Sequence, residues 1–185
     1  MTEHGPKWIT LQVNKGPLNR LIKDIFIEDG DWKEKQLNLI ARSYEKTPGF
    51  KQYFPAVEKL YNRDISNLME FNLGFIRWGC EILNIKTNEI FSSSYDIHKK
   101  GSERLTELVK RVKGTHYLTG SGSKNYLKNE YFKERDIKVV WQNFEHPKYQ
   151  QRTNKFVGNL SFLDLLMFTG SRAREIFNGI PAIKL

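Results

Sequence analysis

The sequence has little of what disulfide-bonded, membrane or metal-binding proteins require. Its one cysteine is Cys80, which excludes an intrachain disulfide and a zinc site made of cysteines. No apolar run is long enough to cross a bilayer, and the first ten residues are polar, unlike a signal peptide. The four histidines show no metal-ligand spacing. These absences predict a reduced, soluble protein of the cytoplasm, and we expect neither a metal nor another cofactor.

What the chain does have is apolar bulk and positive charge. Of its 185 residues, 39% are hydrophobic, which excludes a disordered chain and is enough for the core of one domain. Lys and Arg number 30 against 21 Asp and Glu, a net charge of +9, which indicates phosphate-bearing partners. The excess is spread over all three thirds of the chain, and this argues against nucleic acid. A soluble surface with a mild positive field is the simpler alternative.

The order of predicted elements is typical of an α/β fold. Strands are expected at residues 8–13, 21–27, 88–92, 116–118 and 137–141, and helices at 32–46, 50–61, 65–83, 102–113, 125–132 and 160–168. Strand and helix alternate in the second half, which favours some parallel pairing. We therefore predict a single domain over residues 1–185 with a mixed, partly parallel sheet flanked by helices and a helix-rich first half. Residues 1–7 are expected to be disordered.

A glycine- and serine-rich loop lies between a predicted strand and a predicted helix. It consists of Gly120, Ser121, Gly122, Ser123 and Lys124. Glycines let backbone N–H groups approach a phosphate, a helix start adds partial positive charge, and Lys124 adds a full one. The spacing is neither that of a Walker loop nor that of the dinucleotide fingerprint. A phosphate site and an ordinary strand-to-helix turn both fit, although ligands of open α/β sheets bind beyond the carboxyl ends of strands.

Cations cluster at the start of the predicted helix at 102–113. Lys99, Lys100 and Arg104 surround this position, next to Ser102. Cations are unfavourable at a helix N-terminus unless an anion or an acid compensates them. A bound anion and an ion pair with Glu103 both explain the pattern.

Two further candidates lie near the end of the chain. Asp164 is the one charge in the apolar run 160–168, and a buried carboxylate must be paired or catalytic. Ser161 stands three residues earlier, the spacing of a capping box in which Asp164 bonds back to the helix start. The segment 147–152 offers a phenol, amides and cations suited to sugar hydroxyls or phosphates, and it fits a solvated loop equally well.

Several segments occur in the order in which one bacterial family carries them. They are Trp8–Val13 with Lys15-Gly16; Trp32, Leu39 and Tyr44 with Pro48-x-Phe50 and Tyr53; Ser102–Leu105; Gly114-x-x-Tyr117-Leu118-x-Gly120 with Tyr126-Leu127; and Pro147-x-Tyr149-x-Gln151, Phe156, Leu160-Ser161-x-x-Asp164-Leu165-Leu166 and Gly170. With them the chain resembles the WbqC-like protein family, although Gln12 replaces the usual proline. Family members usually begin with a further segment. Only seven residues precede Trp8, so we expect this chain to lack it.

The resemblance implies a role in bacterial surface polysaccharide biosynthesis. Members occur among genes for O-antigen, the polysaccharide of lipopolysaccharide, and the family is associated with modifying sugars or nucleotide-sugars by acyl or aminoacyl transfer. On this interpretation the protein is a transferase with a phosphorylated sugar or nucleotide-sugar as its ligand. The predicted catalytic residues are Asp164, Tyr149 and Arg104. The predicted substrate-binding residues are Gly120, Ser121, Gly122, Ser123, Lys124, Tyr126, Lys100, Ser102, Gln151 and Ser161.

Two other functions remain open. The chain can be a non-catalytic subunit that docks on a partner enzyme or on an anionic membrane face. An exposed apolar patch formed by Phe50, Tyr53, Phe54 and Tyr61 would favour that function. Without the expected N-terminal segment, an uncovered sheet edge would favour a homo-oligomer. A nucleic-acid binder is the third candidate, and it predicts tight binding that weakens steeply with salt.

Overall fold

The computed structural model describes residues 1–180, which form two compact units. The first unit combines residues 1–86 with residues 146–180, and the second contains residues 87–145. The helices are α1 (Trp32–Tyr44), α2 (Phe50–Tyr61), α3 (Leu68–Leu83), α4 (Gly101–Arg111), α5 (Glu130–Lys133), α6 (Phe162–Thr169) and α7 (Ala173–Asn178). The strands are β1 (His116–Gly120) and β2 (Lys138–Gln142). Short 3-10 helices occupy Ile22–Asp24, Ser92–Ser94, Ser121–Asn125 and Gly170–Arg172.

The first unit is a helical body built around aromatic side chains. On α1 the buried residues Gln36, Ile40 and Tyr44 recur every four positions, so that they share one face of the helix. The ring of Trp32 packs edge-on against Phe71, with 5.5 Å between the ring centres. Burial of these faces against one another provides the main stabilisation of short helices that are marginal alone.

Local signals set the ends of α3. The side chain of Asn67 accepts a hydrogen bond from the backbone N–H of Glu70 at 3.2 Å, which caps the first turn. At the other end Asn84 adopts a left-handed conformation with a φ of 54°, and its N–H bonds back to the carbonyl groups of Cys80 and Glu81. The helix therefore begins three residues later than the 65–83 range that the sequence pattern predicts.

Helix α6 is the most buried helix of the first unit. Leu166 and Met167 have no exposed surface, and the N–H of Gly49 donates to the carbonyl of Met167 at 2.8 Å. A Cβ atom at Gly49 would lie 2.1 Å from the carbonyl oxygen of Leu166. Glycine is therefore required where the turn before α2 approaches the backbone of α6.

The second unit is built on a pair of parallel strands. β1 and β2 are paired in register from His116 opposite Lys138 to Gly120 opposite Gln142. Its small core is formed by buried apolar residues of α4, α5 and the segments beside the strands: Val109, Leu127, Phe132 and Ile137. Because the strands are parallel, their carboxyl ends lie at the same edge of the sheet.

The α/β class, the parallel pairing and the helix-rich first half are confirmed, whereas three predicted strands are wrong. Residues 8–13 form only one antiparallel bridge, from Val13 to Ile27, and residues 21–27 include a 3-10 turn. Residues 88–92 form no strand. Their β-branched residues fit a pleated surface, but a strand forms only where a partner strand is available. The helix predicted at 125–132 is reduced to Glu130–Lys133. The number of domains stays a prediction.

We expect Gly49→Ala to lower the free energy of unfolding by about 1–3 kcal/mol, because the new methyl group collides with backbone that cannot rotate away. Gly179→Ala is the matched control in the same unit, since a Cβ there makes only ordinary contacts at 3.5 Å. Urea denaturation followed by circular dichroism measures both. Equal stability of the two variants would contradict the close approach of Gly49 to α6.

Candidate functional site

The carboxylate of Asp164, in the first turn of α6, is the centre of a buried polar cluster. Its side chain is 1% exposed. Oδ1 accepts hydrogen bonds from the Tyr44 hydroxyl at 2.8 Å and from the nitrogen of Met1 at 3.0 Å. Oδ2 accepts from the Tyr149 hydroxyl at 2.9 Å and from Nε2 of Gln151 at 3.0 Å. We call these five residues the Asp164 cluster.

The local sequence places each member of the Asp164 cluster. Ser161 caps α6 by accepting a hydrogen bond from the N–H of Leu163 at 3.3 Å, which confirms its predicted position at the helix start. The other half of that prediction is wrong, because the Asp164 side chain points to the cluster and not to the helix start. Gln151, which is 3% exposed, also exchanges hydrogen bonds with the backbone of Val157 at 2.8 and 3.0 Å. This amide therefore holds a loop and the carboxylate together.

The phenols of the Asp164 cluster act as donors. Burial raises the pKa of Tyr44, and the charge of Asp164 and the hydrogen bond to it raise the pKa further. Burial and then Asp164 raise the pKa of Tyr149 in the same way. Both hydroxyl groups therefore stay protonated at neutral pH. The four donors engage the carboxylate on both oxygens, which gives Asp164 a structural role. Catalytic roles for Asp164 and Tyr149 stay predictions.

The glycine- and serine-rich loop is placed at the carboxyl end of β1, in the second unit. Its residues Ser121–Asn125 form a 3-10 turn. The Thr119 hydroxyl donates to Oγ of Ser123 at 2.8 Å, and the hydroxyl groups of Ser123 and Tyr126 share a hydrogen bond of 3.0 Å. The ammonium of Lys124 lies 5.8 Å from the centre of the Trp141 ring. The structure therefore places Gly120–Lys124 and Tyr126 together at the carboxyl end of β1, and ligand binding by these residues stays a prediction.

Two of the three cations at the start of α4, Lys99 and Arg104, have protein partners. The Lys99 ammonium pairs with Glu103 at 2.5 Å, and a guanidinium nitrogen of Arg104 donates to the carbonyl of Ile97 at 2.5 Å. The hydroxyl of Ser102 accepts from the N–H of Lys128 at 2.9 Å, whereas Lys100 is exposed. The sequence left two explanations open, a bound anion and an ion pair with Glu103. The ion pair compensates the charge of Lys99, so no anion is needed for that residue. Ligand binding by Arg104, Ser102 and Lys100 stays a prediction.

Sequence reasoning missed two members of the Asp164 cluster. Tyr44 lies on the apolar stripe of α1, and only the need of a buried phenol for a hydrogen-bond partner could have identified it. Met1 lies in residues 1–7, for which disorder is expected from the sequence; in the structure it is 8% exposed. Its nitrogen also donates to the hydroxyl of Tyr44.

The part of the chain that the structure describes contains no helix that is both long and apolar enough to span a membrane. Nor do the described residues include a group of three or more His, Cys, Asp or Glu side chains placed to hold a metal ion.

The fold and these sites define an α/β protein with a helical unit, organised by a buried carboxylate, and a second unit with a parallel pair of strands. A family model described as the WbqC-like protein family matches residues 1–176, and the chain belongs to this family. The chain is similar to the uncharacterized protein Rv1507c of Mycobacterium tuberculosis (strain ATCC 25618 / H37Rv). The two are 27% identical over 177 residues, which cover 94% of this chain and 77% of the relative. No solved structure matches.

We expect Asp164→Asn to lower the free energy of unfolding by about 2–4 kcal/mol, because the amide turns a donor toward groups that need an acceptor. Asp31→Asn is the matched control, since Asp31 is exposed and pairs with Lys35 at 2.8 Å on the surface of α1. Its effect should stay below about 1 kcal/mol. Urea titrations of the purified variants measure both. If Asp164→Asn costs no more than Asp31→Asn, the cluster does not stabilise the unit.

The raised tyrosine pKa values predict a loss of stability in alkali. The ordinary tyrosine pKa is 10.0, and burial raises the pKa of Tyr61 to about 12 and the pKa of Tyr44 still higher. Above pH 10 the unfolded chain releases protons that the folded chain keeps, so stability falls as pH rises. Each such tyrosine steepens the fall by about 1.4 kcal/mol per pH unit. Denaturation at pH 9 to 11 should therefore show a shallower slope for Tyr44→Phe than for the wild type; an unchanged slope would contradict the shift.

Proposed function

We propose that the protein binds the phosphate of a phosphorylated sugar or nucleotide-sugar at the turn after β1, and that it modifies this ligand in surface polysaccharide biosynthesis in the cytoplasm. The observation that supports this proposal most directly is the open space around Gly120 and Gly122. A Cβ at Gly120 or Gly122 would meet no heavy atom within 4 Å, and Gly120 has an ordinary φ of −79°. The fold itself therefore does not require glycine there, whereas a ligand that approaches the backbone does.

Hydroxyl groups suit this turn to sugar and phosphate oxygens. Ser121 is exposed, and Ser123 and Tyr126 already share one hydrogen bond. A hydroxyl group both donates and accepts, so that these side chains can rotate toward the oxygens of a ligand. The ring of Tyr126 is 68% exposed and lies beside the same turn. This supports a polar, oxygen-rich ligand over an apolar one.

A cation is held at the same edge of the sheet. Lys124 lies over the ring of Trp141, and Trp141 pairs with Thr119 across the two strands. This cation–π contact keeps the ammonium near the carboxyl ends of both β1 and β2. Ligands of open α/β sheets bind at this edge, and a phosphate there would find a positive charge already in place.

The reaction that family resemblance suggests is acyl or aminoacyl transfer to the sugar. Such a transfer removes a proton from the accepting hydroxyl or amine, and it therefore needs a base. Asp164 is our candidate for this acid or base, with Tyr149 beside it. For Asp164 to accept a proton, one of its four donors must leave, and Tyr149 is the donor in the cluster whose side chain is only half-buried. Arg104 keeps N–H groups beyond the one bonded to Ile97, and these are suited to a phosphate.

A non-catalytic docking subunit receives no support from the aromatic residues that would have favoured it. Tyr53, Phe54 and Tyr61 are buried in the core of the first unit, and Phe50 stacks on Phe54 with 4.5 Å between the ring centres. They therefore cannot form the exposed patch that this function predicts.

We expect nucleotide-sugars such as UDP-glucose, or the simpler glucose 1-phosphate, to raise the melting temperature of the protein. A ligand at one hundred times its Kd adds about 2.7 kcal/mol of stability. Gly122→Val fills the space that the phosphate is proposed to occupy, and Lys124→Ala removes the charge, so each should weaken binding roughly tenfold or more.

Lys133→Ala is the control, because Lys133 is an exposed cation of the same unit outside the turn. It should bind the ligand as the wild type does. The proposal fails if no sugar phosphate or nucleotide-sugar shifts the melting curve, or if Gly122→Val binds with unchanged affinity.

A further inference from the structure

A cleft in the first unit lies between residues 7–12 and α1. Its volume is about 820 Å³, and a second cavity of about 550 Å³ shares Lys7, Leu39 and Arg42 with it. Because the two cavities share these residues, they adjoin and form one groove along α1. Their sizes fall within the range typical of small-molecule sites. All of the lining residues belong to the first unit, whereas the turn after β1 belongs to the second.

A buried amide fixes the wall of this cleft. Nε2 of Gln36, on α1, donates to the carbonyl of Thr10 at 3.0 Å, and its Oε1 accepts from the Tyr61 hydroxyl at 2.9 Å. Gln36 is 8% exposed. Hydrogen bonds through Gln36 therefore connect the segment that contains Trp8 to the buried Tyr61 of the core.

The indole ring of Trp8 lines the cleft and is exposed to solvent. The residue lines the larger cavity and is 93% exposed. Trp32 lines the same cavity, but its ring is packed against Tyr61 and Phe71. A large aromatic ring left in water is a good platform for a flat ring of a ligand, because stacking removes apolar surface of both from water.

The cleft has a small excess of cations over carboxylates. Its larger cavity is lined by Lys7, Lys35, Arg42 and one carboxylate, Asp31, and the smaller cavity adds Arg152, Glu3 and Glu45. Asp31 pairs with Lys35 at 2.8 Å. Among the described residues, no acidic side chain forms an ion pair with Lys7 or Arg42. These two cations lie where the two cavities adjoin, and they are therefore available to an anionic ligand.

We infer that this cleft binds a nucleotide, with the base stacked on Trp8 and the phosphate groups at Lys7 and Arg42. A nucleotide combines the two features that the cleft offers separately, a planar apolar ring and an anion. Arginine suits the phosphate because its guanidinium can bind two oxygens at once. The inference goes beyond the proposed function, since it assigns a second ligand to the other unit and stands without the turn after β1.

Binding of ADP and UDP to the full chain, measured by isothermal titration calorimetry and by quenching of tryptophan fluorescence, tests this. Ribose 5-phosphate, which lacks a base, and adenosine, which lacks a phosphate, should each bind at least tenfold more weakly than the better diphosphate. Trp8→Ala should weaken nucleotide binding at least tenfold and remove most of the quenching. Arg42→Ala should weaken it similarly and reduce its dependence on salt.

Two exposed residues of the same unit provide matched controls. Leu18→Ala removes an exposed apolar side chain, and Lys46→Ala removes an exposed cation, and neither residue lines the cleft. Both should bind nucleotide as the wild type does. Because Trp8 and Arg42 are exposed, their variants should also melt at the wild-type temperature.

Three results would overturn the inference. The first is that neither ADP nor UDP binds. The second is binding that survives both Trp8→Ala and Arg42→Ala but is lost in Lys124→Ala, which would assign the nucleotide to the turn after β1. The third is binding of a short single-stranded oligonucleotide far more tightly than of any mononucleotide, which would make the cleft part of a nucleic-acid surface. Failure of sugar phosphates to bind at the turn would leave this inference unaffected.

Discussion

The first unit depends on the burial of one negative charge. Asp164 and its partner Tyr44 are separated by 120 residues, and Met1 lies 163 residues from Asp164. Removing a carboxylate from water costs several kcal/mol unless donors replace the water. Here four donors replace the water. Met1 and Tyr44 lie far from Asp164 in the sequence, and Tyr149 and Gln151 belong to the segment that precedes α6. The arrangement explains why residues 146–180 return to the body formed by residues 1–86.

The same interaction restricts what the unit can do chemically. A phenol with a raised pKa is a good hydrogen-bond donor and a poor nucleophile at neutral pH, so the tyrosines hold the carboxylate in place. A base needs a free lone pair near a substrate, and the carboxylate has none while all four donors remain. Any chemistry at Asp164 must therefore begin with a rearrangement of Tyr149, since the other donors are more deeply buried. Ligand binding, by contrast, needs no such rearrangement of the Asp164 cluster.

Local patterns in the sequence were sufficient for α1, α2, α4 and α6 and for the position of the turn after β1, whereas α3 begins later than predicted, α5 is shorter, and α7 has no counterpart in the predicted pattern. The stripe on α1 acts within a few residues, so it can be recognised without tertiary structure, whereas the apolar pattern places the start of α3 at residue 65 and misses the cap at Asn67. Residues 8–13 could not be assigned in this way, because a strand also needs a distant partner and Val13 finds only Ile27. The sequence limited Asp164 to a few roles. Its actual partners lie too far away in the sequence for spacing to identify them.

The net charge of +9 is a poor guide to ligands, because what matters is which cations lack a protein partner. At physiological ionic strength charges are screened beyond roughly 8 Å, so a ligand responds to the few side chains nearest to it. Lys35 and Lys99 are neutralised by Asp31 and Glu103, whereas no acidic side chain in residues 1–180 forms an ion pair with Arg42, which lines the cleft. The composition does not distinguish these cations from one another. The ion pairs in the structure show which of them are already neutralised. An even distribution of charge along the sequence is therefore compatible with a localised anion site, and the exposed ring of Trp8 is what selects a nucleotide among the anions that such a site accepts.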